Sequence, residues 1–210
     1  MIYGILVFTI TVMGVVYARS HATDHVLNTY DYQRVADKYD KHESALEAQH
    51  LTDSLHEWLE ENGYSTSLLF IADMGLRMNI KRFYAINPDS KKLIFDAIVS
   101  HGSGGKSTIQ KATFSNVSGS FCTSKGRFKI GEKYTGKFGK SYRLHGLDAS
   151  NSNALERCIV LHAYMDQTED EYENPLYFSA GCPMLGQESF SKCDSLIQKE
   201  DKPVMLIITE

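Results

Sequence analysis

The chain has 210 residues, 42% of them hydrophobic, with a formal net charge of -4 and four cysteines. That is enough apolar material for one ordinary globular domain with some extra chain. The absence of a basic excess argues against nucleic acid as a partner, and the absence of a C-x-x-C pair argues against a cysteine zinc site.

Residues 2–16 are almost wholly apolar, and Val16-Tyr-Ala18 or Ser20-His-Ala22 supplies small residues suited to cleavage. The pattern predicts a secretory signal over 1–22. With no Lys or Arg ahead of the apolar run, an uncleaved membrane anchor is the alternative, giving an N-terminal membrane association. Either form places the remainder outside the cytoplasmic membrane.

Residues 23–63 read as a helical lead-in. Leu51, Leu55, Trp58 and Leu59 fall at i, i+4, i+7 and i+8, one apolar stripe on a helix, and Asn62-Gly63 supplies the stop. The stripe predicts packing on the domain that follows. His42, His50 and His56 are spaced wrongly for a metal pair on one face.

A third segment, 64–210, holds short β-branched and aromatic runs. Leu68 to Ala72, Arg82 to Asn87 and Lys92 to Ser100 read as strands, with Asn87-Pro-Asp-Ser90 as a turn. Gly102-Ser-Gly-Gly-Lys106-Ser107 looks superficially like a phosphate loop. Counting back from Gly105-Lys106-Ser107, however, the first required glycine is Ser100, and no helix pattern follows, so nucleotide binding is not expected. Residues 112–150 are dense in Gly, Ser, Tyr and Lys, as where short strands alternate with tight turns; Arg127 to Ile130 and Ser141 to Leu144 read as strands. Gln187 to Gln198 predicts a helix and Val204 to Thr209 a last strand.

The chemistry concentrates between Arg157 and Leu185. An apolar run delivers His162 at its end, and twenty positions later Cys182 sits in Ser179-Ala-Gly181-Cys182-Pro. A thiol with an ordinary pKa of about 8.5 is mostly protonated at neutral pH, so it needs a base and a field of donors. His162 is the candidate base. The N-H groups of Gly181 and Cys182 are the candidate oxyanion donors, with Gly181 permitting the tight turn. Ser179 is read as shaping that turn or hydrogen-bonding near the site, and is a candidate substrate-binding residue. His145, also after an apolar strand and before glycine, is the rival base. If Cys182 stays free, at most one disulfide can form among Cys122, Cys158 and Cys193. The acidic run Asp166, Glu169, Asp170, Glu171 and Glu173 lacks the glycine and spacing of a calcium loop and is expected to be a solvated loop; as a second hypothesis, its place between base and nucleophile makes it one wall of the cleft, favouring a cationic substrate group.

These pieces resemble the L,D-transpeptidase catalytic domains, specifically the YkuD-like murein branch with a Gly-Cys-Pro signature. The resemblance runs from about Leu68 to Thr209. It includes Ser100-His101-Gly102, Phe114-Ser115-Asn116, Lys125-Gly126, Tyr134-x-Gly-Lys-x-Gly139, Arg143-Leu-x-Gly-Leu-Asp148, Asn151-Ser-Asn-Ala154 and Arg157. It implies a mainly β (α+β) sandwich or barrel with short helices, located in the periplasm or cell envelope and acting on peptidoglycan stem peptides without metal or organic cofactor. Cys182 would be the nucleophile and His162 its base. Arg143 and Arg157 match arginines of that branch and are candidates to bind a stem carboxylate. The implied reaction is thioester-mediated transpeptidation with loss of D-alanine. The alternatives are a carboxypeptidase or endopeptidase on the same stems, or a non-catalytic wall-binding module. A papain-like protease is disfavoured, because there the cysteine precedes the histidine.

Overall fold

The structure is a computed structural model that describes His42 and residues 55–210, all within one unit, Tyr39–Glu210. The expected signal or anchor at 1–22 and most of the expected lead-in lie outside the described residues. Among those described, no helix is long and apolar enough to cross a membrane.

Two uninterrupted apolar runs set the centre. β1 (Leu69–Asp73) and β9 (Met205–Thr209) pair in parallel, and each is buried along its first four residues. A strand buried on both faces needs apolar side chains at odd and even positions alike, which is why neither run alternates. On one face Phe70, Ala72, Leu206 and Ile208 join the larger core with Phe128, Tyr142, Leu144 and Leu161. On the other, Leu69, Ile71, Met205 and Ile207 pack with Tyr84, Ile86 and Leu59.

Leu59 comes from α1, whose described part is 55–61. Its stripe covers the second face: Leu59 is fully buried, with Leu55 and Trp58 packed against the same cluster. Trp58 stacks on Tyr64 with ring centroids 5.6 Å apart, and the Arg127 guanidinium lies 5.0 Å above the indole.

From β1 the sheet extends through β2 (Phe83–Asn87) to β3 (Lys92–Ala97), and from β9 through β5 (Gly126–Gly136), β6 (Gly139–Gly146), β7 (Val160–Ala163) and β8 (Met184–Leu185) to β4 (Val99–Ser100). The pairs β1·β9 and β7·β8 are parallel and the others antiparallel. The edge strands β3 and β4 are separated in sequence by Ile98 alone. The expected sandwich or barrel is thus one open sheet whose two edges are successive stretches of a single run of chain.

The β5–β6 hairpin is longer than its apolar signal, because Glu132 to Gly136 is mostly exposed and shows no alternation. The glycines after Ser100 serve close backbone approach. A Cβ on Gly102 would lie 2.1 Å from the Phe121 carbonyl oxygen and 2.9 Å from Gly181 Cα. The segment bridges to Ser179 and leads into no helix.

Helix α2 (Gln187–Ile197) begins at Gly186, which offers no capping side chain. The cap comes from the acidic loop: the Glu169 carboxylate accepts the N-H groups of Glu188 (2.8 Å) and Ser189 (3.1 Å) and the Ser189 hydroxyl. Glu171 likewise accepts the Lys81 N-H at 2.8 Å. Two of the five loop carboxylates, Glu169 and Glu171, are therefore engaged in holding the fold, which corrects the expectation of a solvated loop at those two positions.

Candidate active site

β7 is short and wholly buried, and it brings His162 to a point opposite Ser141 of β6 and Met184 of β8. The Ala163 carbonyl lies 2.8 Å from His162 Nδ1. A carbonyl only accepts, so Nδ1 carries the proton and Nε2 is left bare to act as base. Phe138, at the tip of the β5–β6 hairpin, stacks on the imidazole with centroids 4.4 Å apart and planes 23° from parallel. Burial holds His162 below the usual histidine range, opposed by its bond to Ala163. The ring is neutral at pH 7.

The turn ahead of Cys182 is tied internally. Ser179 Oγ accepts the Gly181 N-H (3.1 Å) and donates to the Cys182 carbonyl (2.6 Å). Both bonds lie within the turn, so the hydroxyl ties the chain on either side of Gly181. Gly181 has φ +119°, and a Cβ there would meet the Cys122 carbonyl oxygen at 2.8 Å, so the glycine is required on both counts. Its N-H is already taken by Ser179, however, which corrects the expectation that it faces an oxyanion. Among the described residues the Cys182 N-H has no acceptor, and it remains the available donor.

Cys182 is half-buried. Its sulfur accepts the Val160 N-H at 3.5 Å and lies 3.9 Å from the Cys158 carbonyl oxygen. Burial pushes the thiol up, while the Val160 N-H and the positive charge of Arg157 pull it down. Cys182 and His162 line one cleft of about 200 Å³, together with Phe138, Tyr164, Tyr177 and Phe178. In this state thiol and imidazole share that cleft without a hydrogen bond between them. All four cysteines are free, Cys122 and Cys193 being buried.

The two candidate arginines part company. Arg143 stands on β6 opposite Val160, exposed, with its guanidinium 4.8 Å over the Tyr134 ring and no carboxylate partner among the described residues. Arg157 is committed: Nη1 donates to the Ser115 carbonyl (2.7 Å) and Ser124 Oγ, and Nη2 to the Cys122 carbonyl (2.6 Å) and Ser120 Oγ (3.4 Å). It fastens the 115–124 loop and is not free to grip a substrate carboxylate, which corrects that expectation. His145, the rival base, sits 3.1 Å from Glu132 on the neighbouring strand and does not line the cleft.

Two features escape a reading of the sequence. Phe138 lies in an exposed hairpin with no local mark of a site residue. Beneath the turn, the fully buried Arg82 donates from Nη2 to His101 Nδ1 at 2.7 Å and to the Val99 carbonyl at 2.9 Å, and the His101 carbonyl accepts the Ser179 N-H at 3.0 Å. Burial, reinforced by Arg82, holds His101 down to about 4, and burial lowers Arg82 to about 9. The Ser100-His101-Gly102 motif signals the histidine; nothing local signals its arginine.

A profile of the L,D-transpeptidase catalytic domain matches residues 40–206. Solved structures with a similar fold include the helical cell shape determining protein Pgp2 from Campylobacter jejuni, at 18% identity and a TM-score of 0.44, covering 73% of this chain and 55% of that one. An L,D-transpeptidase from Mycobacterium smegmatis (12% identity, TM-score 0.40) covers 69% and 59%, and one from Stackebrandtia nassauensis (14%, 0.40) covers 70% and 58%. The chain spans a little over half the length of these structures. No curated protein matches it.

Proposed function

The chain belongs to the L,D-transpeptidase catalytic domain family, and from that premise we propose that it carries out acyl transfer on peptidoglycan stem peptides through Cys182. The observation that carries the reading is the pairing, in one cleft, of that thiol with a buried imidazole whose tautomer leaves Nε2 bare. His162 Nε2 takes the Sγ proton as the sulfur attacks the carbonyl joining a diamino acid to the terminal D-alanine of a tetrapeptide stem. The Cys182 N-H donates to the developing oxyanion. Collapse of the tetrahedral intermediate breaks the C-N bond, and the imidazolium returns its proton to the departing D-alanine amine. The amine of a second stem, deprotonated by His162, attacks the thioester carbonyl. The C-S bond breaks, the acyl group stays on that amine as the new amide, and His162 returns the proton to the released Cys182 sulfur. Arg143, exposed on the strand beside β7 with its guanidinium over Tyr134 and no carboxylate partner among the described residues, is the proposed carboxylate anchor. The domain acts in the periplasm or cell envelope, exported by residues 1–22.

The test is mass spectrometry of the protein incubated with disaccharide tetrapeptide, beside Cys182→Ala. Loss of D-alanine with formation of a dimer, both absent in the variant, is the expected result. Tripeptide without dimer would make the protein a hydrolase of the same stems. No conversion by folded protein, with stems of both common diamino acids, would leave a wall-binding module.

A further inference from the structure

Arg157 lies directly behind the Ser179–Cys182 turn. A Cβ on Gly181 would come within 3.2 Å of its Nη2, and the carbonyl oxygen that this Cβ would also strike, that of Cys122, is the one Nη2 holds at 2.6 Å. Every acceptor of the guanidinium is a carbonyl or a hydroxyl. Among the described residues no carboxylate opposes its charge. A guanidinium stays protonated under all ordinary conditions, and neutral acceptors orient it without cancelling its field. The residue it stands behind, Gly181, immediately precedes Cys182, so the charge lies one residue from the sulfur-bearing position and pulls that thiol down.

The site needs such a charge. His162 is neutral, spends Nδ1 on Ala163 and makes no bond to the thiol, so it supplies no standing cation. The Val160 N-H is one donor at 3.5 Å, against the cost of ionising a half-buried sulfur. The other titratable groups around Cys182 are Cys158, Cys122, Tyr164 and Tyr177, none of them a cation. We propose that Arg157 supplies the positive charge that stabilises the Cys182 thiolate while its hydrogen bonds fix the turn that presents the sulfur. It is a positioning residue acting from behind the turn, and the inference rests on the reading of Cys182 as the attacking group.

Removing a cation makes the thiolate harder to form, so the thiol pKa must rise. The experiment is the pH dependence of iodoacetamide alkylation of the full chain, read on the Cys182 peptide so that exposed Cys158 does not contribute. Arg157→Gln should move the midpoint upward by about one pH unit, and Arg157→Lys, which keeps the charge, by less than half of that. A folded Arg157→Gln protein with the wild-type midpoint would overturn the proposal, because a purely structural role leaves the thiol pKa in place. Should Arg157→Gln fail to fold, the wild-type protein suffices. The Arg157 side-chain ¹⁵N resonance should titrate with the Cys182 midpoint and lose that inflection in Cys182→Ser; a resonance flat through that pH would overturn the proposal equally. Both readouts follow the thiol and not turnover. A protein inert toward stem peptides that still shows the shift would refute the proposed reaction and leave the role of Arg157 standing.

Discussion

A buried histidine that donates through Nδ1 has one nitrogen left to titrate, and burial decides where it does so. Because the folded environment lowers the pKa of His162, the neutral base persists below the ordinary histidine value of about 6.5. The acid limb of kcat/KM against pH is therefore expected below 6.5, with activity lost as pH falls through it; a limb centred above that value would contradict the assignment. His101 carries the complementary prediction for stability. Its folded pKa of about 4 lies below its unfolded value, so between the two the unfolded chain binds the extra proton. The neutral, buried form contributes stability that is fully present above about pH 6.5 and is lost as pH falls to about 4, by on the order of 3 kcal/mol. Thermal melts across that range should show the slope, and His101→Asn should flatten it. That Cys182 and His162 are candidates for one site was legible in the sequence, because each carries its chemistry in its own type and sits at the end of a local pattern, and the fold places both in one cleft. The commitment of Arg157 was not, since its acceptors are supplied by Ser115 to Ser124, more than thirty positions away.

At the scale of elements, the β5–β6 hairpin and α2 show how a site borrows from segments with weak local signatures. Phe138 is 44% exposed yet stacks on the imidazole, so its contribution to stability is small and its effect on His162 direct. Phe138→Ala uncovers one face of the ring to water, weakening the desolvation that lowers its pKa. The acid limb should move toward 6.5 while the melting temperature changes by only a degree or two; an unmoved limb would remove Phe138 from the site. Glu169 makes the opposite case. It caps α2 from the loop that joins β7 to the Cys182 turn, so Glu169→Ala should cost about 1 to 2 kcal/mol in denaturant unfolding. Sequence alone showed where the helix begins and that the loop is acidic. It could not pair the two, because the contact spans about twenty residues and Gly186 offers no cap of its own.

For the whole molecule, the central pair β1·β9 was readable as strands, but not that both faces would be covered. Asn62-Gly63 marks where a helix ends, and the boundary between lead-in and domain was drawn there. A stop signal says nothing about which core a helix stripe covers. Leu59 closes the second face of the sheet over Leu69, Ile71, Tyr84, Ile86, Met205 and Ile207, with Leu55 and Trp58 at its margin. A fragment beginning at residue 64 would expose that face to water, whereas one beginning at residue 40, where the family profile begins, keeps it covered. Leu59→Ala, which leaves a cavity at a fully buried position, should cost about 3 kcal/mol, and the shorter fragment should lose more than this and self-associate through the uncovered face. Calorimetry and light scattering on the two fragments decide it. Equal melting temperatures with both fragments monomeric would make the helix a dispensable lead-in; the expected gap would make its last two turns part of the catalytic domain, since they hold the outer layer on the strands that carry the rest of the sheet.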